Sequence, residues 1–218
     1  VDKENRLVGI ITVDDAIDVM QEEAEEDFEK MAAVAHSEDG YFKTTVFTHA
    51  KNRILWLLIL MLSATITGSI ITNYKAAIAS LPVLVAFLPM LMDTGGNSGS
   101  QASTLIIRGL AMDEISTKDV LKVMWKEFRV AFVVGLVLAI VNSIRILIQY
   151  HDPQIAFTVS LTLMFTVILA KQLGGILPIL AKKLKLDPAL MASPLLTSVV
   201  DTVSVLLFFT ISTMVFGL

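Results

Sequence analysis

From residue 54 onward the sequence is a series of long apolar runs separated by short polar breaks. The first run covers 54–71, with Trp56 near its start as an interface anchor. The turn Asn73-Tyr74-Lys75 follows, and a second segment extends over 77–107. A third covers 130–148, a fourth 155–180, and a fifth starts at Asp187-Pro188 and runs to the end. A helix needs about 20 apolar residues to cross a bilayer. The pattern therefore predicts an all-α polytopic membrane protein with five transmembrane helices over 53–218. The loop Gln149-Tyr150-His151-Asp152-Pro153 separates the third and fourth.

The first 52 residues read differently. Leu7-Val8-Gly9-Ile10-Ile11-Thr12-Val13 is short and rich in β-branched residues, which predicts a buried strand. A helix follows to about Ala35, with an aspartate able to cap its start. Ile17, Met20, Ala24, Phe28, Met31 and Val34 give it one apolar face. Its middle is acidic: Glu22, Glu23, Glu25, Glu26, Asp27 and Glu29. Like charges three and four residues apart repel, and a bound divalent cation would relieve them. Asp39-Gly40-Tyr41 ends this helix, and the chain then leads into the first span along the membrane surface.

Composition fits this division. Hydrophobic residues make up 55% of the 218 and charged residues only 17%, against about 25% in soluble domains. With no cysteine, disulfides and thiolate metal sites are excluded. The chain begins at Val1 with no signal-peptide pattern, so it is expected to be part of something longer. Basic residues set the orientation. Lys51, Arg53, Arg108, Lys118, Lys122, Lys126, Arg129, Lys182, Lys183 and Lys185 fall on one side of a five-span topology, and Lys75 and Arg145 on the other. The expected location is the plasma (inner) membrane, with the N-terminus cytoplasmic and the C-terminus outside. The lipid bilayer is the expected surrounding and no nucleic-acid partner is foreseen.

Two polar features interrupt the apolar runs. The second segment carries Asp93-Thr94-Gly95-Gly96-Asn97-Ser98-Gly99-Ser100-Gln101, with Pro82 and Pro89 upstream. Glycine and proline predict a loosened or broken helix, tolerated at membrane depth where it is buried in protein or lines a wet cavity. The fifth segment carries Asp201, about 18 Å from Ala189 at 1.5 Å per residue. An ionisable group near the midplane marks a functional site. Ser193, Thr197, Asp201 and Ser204 share its face. Carboxylate, hydroxyl and amide oxygens suit Mg2+ or Ca2+ rather than a soft metal. Lys171 is expected to snorkel to the cytoplasmic face rather than pair with Asp201. One midmembrane aspartate per chain is few for a divalent cation, so symmetry suggests a homodimer.

These residues carry a resemblance. Pro89-Met90-Leu91-Met92 followed by the Gly-Gly-Asn-x-Gly-x-Gln core resembles the second transmembrane helix of the MgtE family of magnesium channels. Asp187-Pro188 through Asp201 resembles its fifth helix, and Leu7-Val8-Gly9-Ile10-Ile11-Thr12 the last strand of a CBS domain. The resemblance divides the chain into a CBS remnant (1–15), an acidic linker or plug helix with a membrane lead-in (16–52) and a five-helix pore domain (53–218). It implies a homodimeric Mg2+-selective channel, with Mg2+ both transported and regulatory. The second and fifth helices would line the pore, through Gly95, Gly96, Asn97 and Gln101 and through Asp201, Thr197 and Ser193. Ser193 stands where some members have asparagine. Asp187 would match the aspartate at the cytoplasmic mouth. Glu23, Glu26 and Asp27 would lie on the helix that binds cytosolic Mg2+ and plugs the pore. An alternating-access carrier coupled to Na+ or H+ is the alternative, since broken helices suit that class too. Asp93-Thr94-Gly95 also matches the aspartic-protease triplet, but its membrane context argues against an enzyme.

Overall fold

The computed structural model describes residues 4–6, 8–35, 40–191 and 193–217, with residue 193 described through its backbone. Among them the structure is helical: α1 (Val13–Met31), α2 (Val46–Asn73), α3 (Lys75–Ser80), α4 (Leu88–Ala111), α5 (Val120–Tyr150), α6 (Pro153–Lys183) and α7 (Ser193–Phe216). Short 3-10 turns at Pro82–Phe87 and Pro188–Met191 lead into α4 and α7.

The described residues contain no strand. Residues 8–12 run exposed and irregular, so the expected CBS-like strand is not seen; its Leu7, like Asp39 at the helix break, lies outside the described residues. The start of α1 is capped by Thr12 rather than by an aspartate. The Thr12 side chain accepts from the Asp15 backbone, and Asp15 accepts from the Thr12 N–H at 2.8 Å, the reciprocal arrangement of a capping box.

Among the described residues four helical segments are long and apolar enough to cross a bilayer: α2, α5, α6 and Pro188–Phe216. The fifth expected span, α4, has 24 residues, about 36 Å at 1.5 Å per residue, but polar groups set it apart from the other four. α5 starts ten residues before the expected third span, so Lys122, Lys126, Glu127 and Arg129 are helical. The α5–α6 turn follows local rules. His151 takes a left-handed conformation after α5, and Asp152 accepts from Gln154 N at 2.8 Å and Ile155 N at 3.1 Å, with Pro153 opening α6.

α6 lies at the centre, packed on α5, α4 and α7, while α2 touches chiefly α7. Leu84, Leu91, Val159, Val205, Phe208 and Phe209 fill the core at one end; Ile106, Leu110, Val123 and Ile179 fill a smaller one at the other. Some hydroxyls inside the bundle donate to the turn before them, as in Thr162 to Thr158 O at 2.8 Å and Ser204 to Val200 O at 2.6 Å, while the buried hydroxyls of Thr166 and Ser212 find no partner among the described residues. Thr67 and Thr202 join α2 to α7 at 2.8 Å.

The tightest crossings rest on glycine. A Cβ at Gly95 would lie 2.7 Å from Thr166 Cγ2 and 2.8 Å from Val200 Cγ1. One at Gly96 would overlap the Thr197 side chain, and one at Gly174 would overlap the backbone oxygen of Gly99. Gly174→Ala is therefore expected to destabilise the fold by about 1–3 kcal/mol, the usual cost of overpacking. Gly68→Ala on α2, with nothing within 4 Å, should be neutral or stabilising by up to about 1 kcal/mol. Thermal unfolding of the two variants in the same detergent checks this contrast.

Candidate functional site

α4 runs unbroken through Asp93–Gln101. The expected break lies upstream, at the 3-10 turn Pro82–Phe87. The helix has two unlike sides. Gly95, Gly96, Ser98, Gly99, Ala102 and Ser103 are buried, while Asp93, Asn97, Gln101, Thr104 and Arg108 are exposed. The exposed positions are four, four, three and four residues apart, so they form one edge. The glycines thus let α4 seat on α6 and α7, which turns the polar edge outward. Of the four α4 residues expected to line a path, Asn97 and Gln101 stand on this edge, and Gly95 and Gly96 stand in the crossing behind it.

α7 meets α4 at the glycines. Thr197 sits over Gly96, and Val200 and Ser204 over Gly95. Asp201 is half-buried and lies within electrostatic reach of Asp93. The α4–α7 crossing thus brings the two carboxylates within electrostatic reach of each other. The Thr197 hydroxyl donates to Pro194 O at 3.1 Å. Ser204 is buried at the crossing, so the expected α7 stripe divides between packing and the open edge. The Ser193 side chain lies outside the described residues.

Lys171 does not snorkel. It is 5% exposed, and its Nζ donates to Ser98 O at 3.4 Å. It lies twelve residues before the end of α6, about 18 Å at 1.5 Å per residue. That is farther than the side chain reaches along the axis, and the α4 carbonyl is nearer.

A second cluster lies where α1 packs on the turn Pro188–Met191. Lys30 Nζ is 2.6 Å from Asp187 Oδ2 and 2.8 Å from Glu26 Oε1, and Asp187 Oδ1 accepts from Ala189 N at 2.9 Å. Partial burial would raise the Asp187 carboxyl, but the Lys30 ammonium and the Ala189 N–H hold it below the ordinary carboxylate value. Asp27 is pushed up, first by burial and then by the charge of Asp187. Asp27, Asp187 and Lys182 line a cavity of about 150 Å3. Glu23 is exposed. Of the expected acidic set, Glu26, Asp27 and Asp187 are therefore gathered, with a lysine among them. Among the described residues no three His, Asp or Glu side chains are grouped closely enough to hold a metal ion.

The profile of the MgtE family, described as divalent cation transporters, matches residues 88–211. The chain belongs to the MgtE family. It is similar to the magnesium transporter MgtE of Bacillus subtilis, 38% identical over 213 residues, which are 98% of this chain and 47% of that protein. The magnesium transporter MgtE of Thermus thermophilus is 35% identical over 212 residues, 97% and 47% of the two chains. That of Enterococcus faecalis is 30% identical over 213 residues, 98% and 46%. The chain spans about half the length of the curated relatives it matches. The MgtE family is one of transporters, not enzymes. Accordingly, the Asp93-Thr94-Gly95 triplet lies within α4 with Gly95 buried.

The MgtE match begins at α4 and takes in the polar edge and Asp201. Sequence reasoning missed three residues of these sites. Asp93 was legible as a carboxylate four residues before Asn97, but not as a neighbour of Asp201. Glu127 falls between the second and third apolar runs of the sequence, yet is 8% exposed in the bundle. Lys30 follows the acidic run of α1 in sequence, and nothing in the spacing there marks it as the partner of Asp187.

Lys30 ties α1 to the bundle, so Lys30→Ala should loosen α1, read as faster amide exchange over Val13–Met31. The pH dependence follows from Asp187. Its folded value is depressed, so the attachment is complete above the ordinary 3.8 and fails only as pH falls through the lower folded value. Asp27 acts with the opposite sign, because its protonation relieves repulsion with Asp187. Protection of the α1 amides, corrected for the intrinsic pH dependence of exchange, should therefore persist from neutral pH downward and be lost only below the ordinary 3.8 of Asp187.

Proposed function

We propose that this chain forms the membrane pore of a Mg2+ channel, built from two copies and lined by α4 and α7. One observation supports the reading: the exposed polar edge of α4, with Asp93 within electrostatic reach of Asp201, among helices whose outer faces are apolar. Lipid cannot satisfy such an edge. A second copy across a two-fold axis would enclose it, and would place four carboxylates around one path instead of two. α4 then becomes the fifth crossing, polar because it faces water and ion. The N-terminus is cytoplasmic and the C-terminus outside, following the basic residues.

Mg2+ gives up its water reluctantly. A path edged by Asp93, Asn97, Gln101, Thr197 and Asp201 suits a hydrated ion held through water, with Ser193 near its cytoplasmic end. Each charge crossing 100 mV is worth about 2.3 kcal/mol, so a divalent ion gains about twice that entering a negative interior. No coupling to Na+ or H+ is then required. The unbroken course of α4 also favours a channel over a carrier with discontinuous helices. Residues 53–218 form the pore domain, residues 16–52 the regulatory linker and residues 1–15 the end of a CBS-like domain. Cytosolic Mg2+ would favour closure by binding Glu23, Glu26, Asp27 and Asp187, displacing Lys30 from the last.

Asp201→Asn keeps size and removes charge. It should lower voltage-driven Mg2+ influx into liposomes at least tenfold while the protein elutes as a folded dimer; influx equal to the parent's would overturn the assignment. Asn97→Cys gives a second test, because the chain has no cysteine of its own. Its cross-linking to a second copy in membranes places α4 at the two-fold axis, and its failure under conditions where other interface positions cross-link removes α4 from that axis.

A further inference from the structure

The bundle holds a second pair of opposite charges, behind the polar edge. Lys171 of α6 is 5% exposed and Glu127 of α5 is 8% exposed, and Lys171 lies within electrostatic reach of Glu127. A buried charge in a membrane is retained at a cost unless it is balanced. Lys171 donates to Ser98 O at 3.4 Å, an oxygen already used by the α4 ladder. The same face of α6 grips the same α4 turn. A Cβ at Gly99 would lie 3.1 Å from Ala170 O, and one at Gly174 would overlap Gly99 O. On the far side of that turn stand Asn97 and Gln101. Towards α5, a Cβ at Gly175 would lie 3.4 Å from Glu127 Cγ, and Gln172 Nε2 donates to Met124 O at 3.0 Å. Glu127, which meets α6 at Gly175 one turn from Lys171, Lys171 itself and the α4 edge thus lie in one row through three helices.

We infer that Lys171 is a positioning residue for the cation path, clamping the Ser98 turn of α4 from behind, and that Glu127 supplies the charge that keeps this clamp from repelling the ion. The inference rests on the channel reading above. A helix with its side chains is about 10–12 Å across, so Lys171 stands roughly one helix from the path. At that range, in a medium of low dielectric, an unbalanced positive charge opposes a divalent cation. A neutral side chain would fill the space without that penalty. The lysine is therefore of use only with Glu127 beside it. Lys126 is the other cation acting on Glu127.

The order of losses distinguishes charge balance from packing. Voltage-driven Mg2+ influx, normalised to folded protein, is measured for the full-length parent, Glu127→Gln, Lys171→Met and the double variant in liposomes. Lys171→Met loosens the turn and should lower influx about threefold. Glu127→Gln leaves the clamp charged and unbalanced and should lower it at least tenfold. The double variant should recover to the level of Lys171→Met, which is above Glu127→Gln. Packing alone predicts that the second substitution makes matters worse, so a double variant at or below Glu127→Gln overturns the proposal. So does a Glu127→Gln protein that conducts as the parent does. A parent that carries no Mg2+ overturns the channel reading itself, and the charge role falls with it.

Discussion

The close approach of α4 to α6 and α7 is the constraint on which the remaining structure depends. Gly95 and Gly96 admit the α7 side chains, and Gly99 and Gly174 bring α4 and α6 to backbone contact. In lipid there is little hydrophobic gain from pressing two apolar helices together, so close packing of small residues must supply much of the association. The same contact fixes the rotation of α4. With its glycines turned inward, Asp93, Asn97 and Gln101 must face outward. The chemistry of the exposed edge is thus a consequence of where the glycines are.

That rotation also explains the distribution of charge. Asp201 comes near Asp93 because Thr197 and Ser204, four residues before it and three after, occupy the notches left by Gly96 and Gly95. Lys171 finds Ser98 O because α6 crosses at the neighbouring turn. Asp93 and Asp201 therefore lie towards one end of the open edge and Arg108 at the other, while Lys171 is buried behind it.

At the other end the chain uses ordinary aqueous electrostatics. Lys30 stands between Glu26 and Asp187 and relieves their repulsion with its own ammonium. α1 is joined to the bundle by this contact and by packing on the turn at Pro188–Met191, with no buried residues of its own. Such an element can be released by a local change of charge, because little apolar area holds it in place.

The sequence by itself determined the helical class, the apolar segments at α2, α5, α6 and α7, and the two polar interruptions. Those follow from local composition, which is fully present along the chain. Asn97, Gln101 and Asp201 stood out as candidates for the same reason, since polar groups among apolar ones are conspicuous at any rotation. The tertiary structure decided which side of α4 each residue faces. A Gly-rich segment reads equally as a break or as a crossing until a neighbour presses against it. It also decided that Glu127 and Lys171 share one row, though they are 44 positions apart. A helix leaves its side chains free to reach in several directions, and which partner each charge finds is set only when the helices pack.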